Sequence, residues 1–310
     1  MQAKVHIVIV NWNSGDWLRR CVASIADHGS GLVDRVVVVD NGSTDGSAEF
    51  GRCSSPPEVV AAGANLGFAR ASNLGARGAA APFLLFLNPD AALGEDTLSR
   101  ALAFMESPEA AGIAVCGIRL VDEHGGTQRH CASFPTPRTF LGSATGLSGL
   151  FPRLFPPLLM EQFDHLESRR VDHVIGAFYL VRRELFERLG GFDERFFVYL
   201  EDLDLSLRVR EAGWQVHYLA EATAFHKGGG TSEQVKARRL FYSLRSRNLY
   251  AFKHFRRRHA WTIAFATLLI EPLPRLIRAL ARLSPREALD TLRAFFWLWR
   301  DFPSLPRRPG

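Results

Sequence analysis

The chain begins with short apolar runs that alternate with amphipathic and polar segments. The apolar runs have the length of buried strands and lie at Val5–Val10, Val36–Val39, Val59-Val60 and Phe83–Leu87. Between them the sequence predicts helices over 16–28, 44–51 and 65–80, from helical spacing of apolar residues or from capping residues. Because continuous apolar strands alternating with helices are typical of a parallel sheet covered on both faces, this half predicts an α/β fold.

The second half predicts further strands and helices around a long irregular segment. Predicted helices lie at 94–107, 183–189, 201–212 and 233–258, and predicted strands at 113–120, 173–183 and 215–225. Residues 131–170 are rich in Pro, Phe and Gly and predict a long loop, which within a compact domain usually has a function. The whole pattern predicts a mixed, mainly parallel sheet flanked by helices and followed by a helical extension.

Polar residues directly follow three of the predicted strands. They are Asn11–Ser14, Asp40–Ser43 and Asn88–Asp90. Ligands of open α/β sheets bind in the crevice beyond the carboxyl ends of the strands. We therefore expect the three polar clusters to converge on one crevice.

Composition narrows the class of protein. The 310 residues are 47% hydrophobic and 23% charged, which is typical of a globular protein with a sizeable core. Cys21, Cys53, Cys116 and Cys131 form no CxxC pair, so we expect a reducing compartment without a disulfide framework. The first apolar run is too short for a secretory signal, and the longest later one, Ala260–Ile270, is shorter than the roughly 20 residues of a membrane span. We expect a cytoplasmic protein.

Charge is distributed unevenly along the chain. Residues 1–230 hold 21 basic and 27 acidic residues, a net charge of −6, whereas residues 231–310 hold 17 and 5, a net charge of +12. The basic part is suited to an anionic surface, and nucleic acid and anionic lipid are both candidates on charge alone. No nucleic-acid motif accompanies the positive charge, so we expect no nucleic-acid partner.

Two short motifs at strand ends carry candidate chemistry. Asp40 follows a buried strand, where its carboxylate can accept a hydrogen bond from a nucleotide, although a helix N-cap is the commoner use of such a residue. Asn88-Pro89-Asp90 offers oxygen ligands to a divalent cation, which a diphosphate needs to offset its charge. Taken alone, this motif is also compatible with a simple turn.

Two further motifs lie in the second half. Glu201, Asp202 and Asp204 stand near the start of a predicted helix, where the helix dipole favours carboxylates whatever their function. One of them can instead act as a general base for an alcohol, since crowded carboxylates raise one another's pKa. His226 ends a predicted strand before the glycines at 228–230, so it can bind a metal or a phosphate beside a closing loop, or serve the fold alone.

In this combination and order, the motifs resemble family 2 glycosyltransferases of the GT-A fold, and more narrowly the rhamnosyltransferase-like branch that assembles bacterial surface polysaccharides. The matching segments are VIVNWN (8–13), VDNGSTDGS (39–47), NLGFARASNLG (65–75), LNPD (87–90), GAFYLVRRELFERLGGFDERFFVYLEDLDLSLRVREAGW (176–214) and HKGGGTS (226–232). The resemblance implies a Rossmann-like GT-A catalytic domain over residues 1–232, followed by a basic helical extension over residues 233–310.

The resemblance also implies a donor site and a metal site. The implied contacts with the nucleotide of a nucleotide-sugar donor, either a dTDP-sugar or a UDP-sugar, are Asn11, Asp40 and Asn65. Asn88 and Asp90 correspond to the Asp-x-Asp motif that binds the metal and the donor, and His226 to a residue that completes the metal site in some relatives. Because Asn88 replaces the first Asp, we expect Mg²⁺ or Mn²⁺ to be held in a site completed by the donor's diphosphate.

By the same resemblance, Asp202 corresponds to the catalytic base, while Glu201 and Asp204 support the acceptor pocket or the helix start. The implied activity is inverting transfer of a sugar, with dTDP-L-rhamnose as the expected donor, to a hydroxyl of a polysaccharide or lipid-linked glycan. Two alternatives remain. The donor can be another nucleotide sugar, such as UDP-galactofuranose or one that carries a hexose or an N-acetylhexosamine. The chain can also be a non-catalytic nucleotide-binding module of the same fold.

Arginines recur beside apolar residues in the C-terminal extension. They include Arg256, Arg257 and Arg258 before Trp261, and Arg275, Arg278 and Arg282 at helical spacing. A basic amphipathic helix is typical of an element that lies on a membrane surface, and a lipid-linked acceptor would give that surface a purpose. We expect peripheral contact with the inner face of the cytoplasmic membrane; the alternative is a solvated helix face that packs on the body.

Overall fold

The structure is a computed structural model that describes residues 4–29, 31–51, 56–228 and 235–305. The chain divides into two compact units. The first comprises Met1–Ser133, Leu159–Glu194 and Glu201–Thr231, and the second comprises Phe134–Leu158, Arg195–Leu200 and Ser232–Gly310. The second unit therefore takes two internal segments besides the C-terminal part. The domain boundary expected between residues 232 and 233 lies outside the described residues and stays a prediction. The closing loop expected at the glycines after His226 falls partly outside them, at 229–230, and stays a prediction as well.

The bounds of the elements are as follows. The strands are β1 (Val5–Asn11), β2 (Val33–Asp40), β3 (Glu58–Ala61), β4 (Phe83–Leu87), β5 (Ala91–Leu93), β6 (Ile113–Val121), β7 (Cys131–Ala132), β8 (Arg169–Val171), β9 (His173–Val174), β10 (Phe178–Arg182) and β11 (Gln215–His226). The α-helices are α1 (Asp16–His28), α2 (Phe68–Gly75), α3 (Thr97–Glu106), α4 (Pro137–Thr145), α5 (Leu147–Leu150), α6 (Arg183–Arg188), α7 (Glu201–Glu211), α8 (Lys236–His254), α9 (Arg257–Phe265), α10 (Pro272–Ala281) and α11 (Pro285–Asp301).

The main sheet of the first unit has the order β3-β2-β1-β4-β10-β6-β11-β5, with β8 also paired to β11. The neighbours from β3 to β4 run parallel, as do β6 and β11. Strand β10 lies antiparallel between β4 and β6, and β5 and β8 pair antiparallel with β11. Strands β7 and β9 form a separate two-stranded sheet. The expected α/β fold with a mixed sheet is confirmed.

Both faces of the main sheet are buried, because successive residues of a strand point to opposite sides. On one side, Ile7 of β1 belongs to the same apolar core as Leu18 of α1 and Leu98 of α3. On the other side, Val8 of β1 belongs to the same core as Leu205 of α7. The sheet is thus a rigid platform, and the parallel strands β2, β1 and β4 present their carboxyl ends at one edge.

Strand and helix predictions from the long periodic segments are confirmed, with small shifts of their ends, and the predicted helix at 44–51 is wrong. Residues 44–48 form bends and a turn instead, and residues 49–51 have no regular secondary structure. Asp45 accepts hydrogen bonds from the backbone N–H and the hydroxyl of Ser47, and Gly46 has a φ of 72°. Local side-chain bonds of this kind compete with a helix, and a left-handed residue ends one.

Three other predicted elements differ in length. Helix α2 ends at Gly75 rather than near residue 80, and Gly78 behind it has a φ of 70°. The predicted strand 173–183 is two strands, β9 and β10, separated by residues 175–177. The predicted loop 131–170 contains β7, α4 and α5 and reaches into β8. Helix α4 starts with a capping box in which Thr136 and Thr139 bond reciprocally.

The second unit is helical, and its interior contains charged groups. In α8, Arg245 and Arg247 are buried. The Arg245 guanidinium donates to a carboxylate oxygen of Asp301 at 2.8 Å. Glu271 is buried between two cations: it accepts from Arg247 and, at 2.7 Å, from Arg275. Because a buried carboxylate without partners is costly, this pairing fixes Glu271, which lies between the π-helical segment Ala266–Ile270 and α10.

Within the described residues, none of the helices is both long enough and apolar enough to cross a membrane.

Candidate active site

Asn11 joins the first two polar clusters. It is the last residue of β1, and its partner in the parallel register is Asp40, the last residue of β2. The Asn11 side-chain nitrogen lies 3.2 Å from Asp40 Oδ1, 3.0 Å from Ser43 Oγ and 2.8 Å from Ser47 Oγ. Asn11 is buried and Asp40 is partly exposed. Of this pair, Asp40 is therefore the residue that is open to a ligand, and Asn11 holds it in place.

Asn65 is positioned by Asn41, a residue that the sequence analysis missed. The Asn41 side-chain nitrogen donates to Asn65 Oδ1 at 3.0 Å, and Asn41 Oδ1 accepts from the Leu66 N–H at 2.7 Å. Asn65 Oδ1 also accepts from the Gly67 N–H at 3.0 Å, and the residue is exposed. The only signal for Asn41 in the sequence was its position after Asp40 at a strand end.

The turn Asn88-Pro89-Asp90 lies beside His226 because β5 pairs with β11, with His226 opposite Ala91. His226 Nε2 is 3.4 Å from Asp90 Oδ1 and 3.4 Å from the Asn88 side-chain nitrogen. A half-turn of the Asn88 amide exchanges its nitrogen and oxygen, so that its oxygen can face the same point. The structure thus brings together the three residues expected at a metal site.

Gln128 sets the orientation of His226, and the sequence analysis missed it as well. Its side-chain nitrogen donates to the His226 carbonyl at 2.6 Å, and its Oε1 lies 2.9 Å from His226 Nδ1. An amide oxygen only accepts, so Nδ1 carries the proton and donates it to Gln128. In the neutral ring the lone pair is therefore on Nε2, which faces Asp90. No sequence pattern marks Gln128.

The residues present fit a divalent cation. The Nε2 lone pair of His226 and the Oδ1 of Asp90 are two acceptors that face each other at 3.4 Å, an arrangement that a shared cation stabilises. Among the described residues, no group of three or more His, Cys, Asp or Glu side chains is placed to hold a metal ion. A cation here would therefore need the Asn88 amide and oxygens of the donor, as expected from the replacement of Asp by Asn88.

The acidic cluster opens α7, and its members differ in surroundings. Asp202 Oδ2 accepts from the Gly176 N–H at 2.8 Å, and Asp202 Oδ1 accepts from the Leu203 N–H at 2.8 Å. Its side chain is 15% exposed. Asp204 is fully buried and pairs with Arg208, whose Nε lies 2.8 Å from Asp204 Oδ2. Asp202 is thus the accessible carboxylate, held by two backbone N–H groups.

Glu201 is buried, at 4% exposure, and its Oε2 has no hydrogen-bond partner among the described residues. Burial raises the pKa of Glu201 well above its ordinary value, and the neighbouring Asp202 raises it further. Glu201 is therefore protonated over a wider pH range than an exposed glutamate. Burial of Glu201 and Asp204 favours support of the helix start over contact with an acceptor.

Neutral polar groups line the buried side of Asp202. His173 Nε2 is 3.7 Å from Asp202 Oδ2, too far for a hydrogen bond. His173 Nδ1 is 3.0 Å from Ser206 Oγ, which is 3.1 Å from the Tyr179 hydroxyl. Burial lowers the pKa of His173 and raises that of Tyr179, so both side chains are neutral near pH 7. A ligand can reach the Asp202 carboxylate from its exposed side.

Gly176 and Ala177, which precede β10, connect the Asn88–Asp90 turn to the acidic cluster. The Asn88 N–H donates to the Ala177 carbonyl at 3.0 Å. The preceding residue, Gly176, donates its N–H to Asp202. Two consecutive residues thus bond to the two motifs, which brings Asn88 and Asp202 close together in the first unit.

The chain belongs to glycosyl transferase family 2, whose model matches residues 6–190. Members of this family are nucleotide-sugar-dependent glycosyltransferases, and this chain is one of them. It is 32% identical over 235 residues to the N-acetylglucosaminyl-diphospho-decaprenol L-rhamnosyltransferase of Mycobacterium tuberculosis, a match that covers 71% of this chain and 75% of the relative. It is also 32% identical to the rhamnosyltransferase WbbL of Escherichia coli, over 46% of this chain and 52% of that protein.

Solved structures share the fold at low sequence identity. The mannosyltransferase PcManGT from Pyrobaculum calidifontis, solved in complex with GDP-Man and Mn²⁺, has a TM-score of 0.53 and 18% identity, with 99% of this chain and 84% of that chain covered. GalNAc-T7, solved with UDP, GalNAc and Mn²⁺, has a TM-score of 0.54 and 17% identity over 81% of this chain and 50% of that chain. These likenesses confirm the GT-A fold.

Proposed function

We propose that the protein is an inverting glycosyltransferase that moves L-rhamnose from dTDP-L-rhamnose to a hydroxyl of a polysaccharide or lipid-linked glycan. Sugar transfer is supported by the hydrogen bonds of Gly176 and Ala177, which connect Asp202 and the Asn88–Asp90 turn. A motif that binds the leaving group and a base must lie side by side for direct displacement. Rhamnose as the sugar rests on the activities named for the two relatives.

The nucleotide is proposed to bind across the ends of β1 and β2. Asp40 and Asn65 are the accessible polar groups there, and Asn11 and Asn41 hold them in place. Preorganised groups of this kind lose little entropy when a ligand binds. The diphosphate would then extend toward Asp90 and His226.

The leaving group is proposed to depart at the Asn88–Asp90 turn. Asp90, His226 and the Asn88 amide would hold Mg²⁺ or Mn²⁺, which when bound would offset the charge of the departing diphosphate. Mn²⁺ is present in two of the similar solved structures. Gln128 keeps the Nε2 lone pair of His226 directed at this point.

Asp202 is proposed to take the proton of the acceptor hydroxyl. The acceptor oxygen forms a bond to the anomeric carbon, and the bond from that carbon to the diphosphate oxygen breaks, with the electron pair leaving on the nucleotide diphosphate. Because the attack is opposite to the leaving group, the anomeric configuration inverts. The Gly176 and Leu203 N–H groups hold the carboxylate, while its exposed side can meet the acceptor.

The test is the Asp202→Asn variant, which keeps the shape of the side chain and removes the base. We expect turnover to fall by about 10²–10⁴-fold, the usual contribution of a general base, with dTDP-L-rhamnose binding nearly intact. Release of dTDP is measured with N-acetylglucosaminyl-diphospho-decaprenol as acceptor, and donor binding by calorimetry. The control is Glu211→Gln, which removes an exposed charge from the other end of α7. A near-normal rate for Asp202→Asn contradicts the assignment.

The same assay separates the alternatives. UDP-galactofuranose, other UDP-hexoses and UDP-N-acetylhexosamines are run in parallel with dTDP-L-rhamnose. Stronger turnover with a UDP donor than with any dTDP donor contradicts the rhamnose assignment but preserves glycosyl transfer. Binding of a nucleotide sugar without release of nucleoside diphosphate under all conditions indicates a non-catalytic binding module.

The proposed location is the cytoplasm, at the inner face of the membrane that would carry a lipid-linked acceptor. Cys21, Cys116 and Cys131, the described cysteines, are free thiols, which agrees with a reducing compartment.

A further inference from the structure

Helix α10 exposes a stripe of apolar residues. Glu271, at its start, and Ala279 are buried. Leu273, Ile277 and Leu280, at positions i, i+4 and i+7, are 60%, 65% and 69% exposed. A surface helix of a protein in water normally buries its apolar stripe. In α10 these three apolar residues face outward instead, so they would gain from an apolar environment.

Helix α11 packs against α10 within the second unit and also exposes apolar residues. Thr291, Ala294, Phe295 and Leu298 are buried on its inner side. On its outer side, Leu292, Phe296 and Trp299 are exposed, again at i, i+4 and i+7. We call the six exposed residues of α10 and α11 the outer apolar face: Leu273, Ile277, Leu280, Leu292, Phe296 and Trp299.

A row of arginines borders this face. Arg286, Arg293 and Arg300 recur every seven residues along α11, so they share one side of the helix. At 100° per residue that side adjoins the stripe of Leu292, Phe296 and Trp299. All three arginines are exposed, and within the described part of the chain none forms an ion pair. Residues 231–310 together carry the net charge of +12.

This combination of chemistry matches the interface of an anionic bilayer. Leucine, isoleucine and phenylalanine side chains have a lower free energy at the boundary of the acyl chains than in water. Tryptophan prefers the level of the headgroups, and arginine binds lipid phosphates. No described helix is suited to span the bilayer, so contact would be peripheral. A second copy of the chain fits less well, because a symmetric interface would bring the same arginine row together with itself, and like charges oppose association.

We propose that the outer apolar face inserts into the headgroup region of an anionic membrane, with Arg286, Arg293 and Arg300 on the lipid phosphates. The purpose of this contact, delivery of a lipid-linked acceptor, rests on the proposed function. The binding itself does not, since it requires neither donor nor acceptor.

The test is flotation of the full chain with vesicles of phosphatidylcholine alone or mixed with phosphatidylglycerol. We expect flotation with the mixed vesicles, weakened by salt, and little with phosphatidylcholine alone. The triple variant Arg286→Gln, Arg293→Gln, Arg300→Gln should lose about 100-fold in partition to the mixed vesicles, since each surface charge is worth roughly fivefold.

A second triple variant, Ile277→Ser, Leu280→Ser, Phe296→Ser, removes apolar surface without touching the core, so we expect folding to be kept and flotation lost. The control is Val59→Ser with Leu166→Ser, two exposed apolar residues of the first unit, which should float like the parent chain. Thermal unfolding checks that each variant is folded. If the serine triple variant fails to fold, the arginine triple variant alone decides.

Several outcomes overturn the proposal. They are no flotation of the parent chain, equal flotation of a folded triple variant and the parent, or a stable dimer that the serine substitutions dissociate. The Asp202→Asn variant should float like the parent chain, which keeps this test separate from that of the proposed function. If the protein floats but transfers no sugar, the membrane surface stands and the function fails.

Discussion

At the scale of single residues, Gln128 decides which nitrogen of His226 faces Asp90. Replacing Gln128 by Leu removes the acceptor for the Nδ1 proton and frees the ring to turn. We expect the affinity for Mn²⁺, measured by calorimetry in the presence of dTDP, to fall by about 10–100-fold, the usual effect of losing such a partner. Binding of dTDP without metal should change little.

The control for this prediction is Gln215→Leu, an exposed glutamine at the first position of β11, the strand that ends in His226. Unchanged Mn²⁺ affinity in Gln128→Leu would contradict the role of Gln128 in orienting His226 toward the cation.

Glu201 makes stability depend on pH. The pKa of Glu201 is raised in the folded protein. The stability that the protonated side chain contributes is therefore fully present below the unfolded pKa of 4.5, and it is lost as the pH rises through the folded pKa. Glu201→Gln has no charge to bury. We therefore expect the free energy of unfolding of this variant, relative to the parent chain, to increase steadily from about pH 5 toward pH 8.

Urea unfolding at several pH values measures this difference, and Glu211→Gln, which removes an exposed carboxylate from the same helix, should show no such trend. A constant difference between the Glu201→Gln variant and the parent chain across the range would mean that Glu201 is ionised in the folded protein.

Candidate site residues at strand ends and at a helix start could be predicted from the sequence, and the residues that position them could not. Asp40, Asp90 and Asp202 each follow a recognisable pattern, and the structure places each at a partly exposed position. Gln128 and Gly176 act through contacts between positions far apart in the chain. Gly176 leaves room for the carboxylate, since a Cβ there would lie 3.3 Å from Asp202 Oδ2. No local pattern encodes such contacts.

At the scale of elements, the packing of α2 on the sheet depends on Gly75. A Cβ at this position would lie 2.5 Å from Val8 Cγ1 of β1 and 2.9 Å from Val39 Cγ2 of β2. We expect Gly75→Ala to lower the free energy of unfolding by about 1–3 kcal/mol, the usual cost of overpacking a core. Urea unfolding measures the loss.

The control is Gly149→Ala in α5, where a Cβ would meet no atom within 4 Å. A Gly75→Ala protein as stable as the parent chain would mean that the helix can move away from the strands at little cost.

Elements with strong periodicity were predicted closely, and those governed by distant contacts were not. Helix α1 and strand β4 have the predicted bounds, because an apolar stripe and an apolar run each define one element. The wrong helix at 44–51 has capping residues at its start, but these residues bond locally within turns. Strands β9 and β10 form one apolar run in the sequence, and only their different pairing partners separate them.

At the scale of the whole molecule, the alternating pattern predicted the fold class but not the strand order. Strand β10 lies between β4 and β6, and its residues pair with positions about 95 earlier in β4 and about 65 earlier in β6. The pattern of apolar runs carries no information on such pairings. The composition of the second unit was also unpredictable, since 134–158 and 195–200 belong to it although the basic part begins only after residue 230. The unequal charge of the two parts was visible in the sequence from the start.

Gly176 and Ala177, in the turn that leads from β9 into β10, connect the Asn88–Asp90 turn to Asp202 through main-chain atoms. The Asn88 N–H donates to the Ala177 carbonyl, and the Gly176 N–H donates to the Asp202 carboxylate. Inserting a residue between 175 and 178 would therefore disturb both proposed steps together, departure of the leaving group and deprotonation of the acceptor. For the same reason, substitutions of the surrounding side chains could change the sugar or the acceptor, while the backbone keeps the spacing between the two motifs fixed.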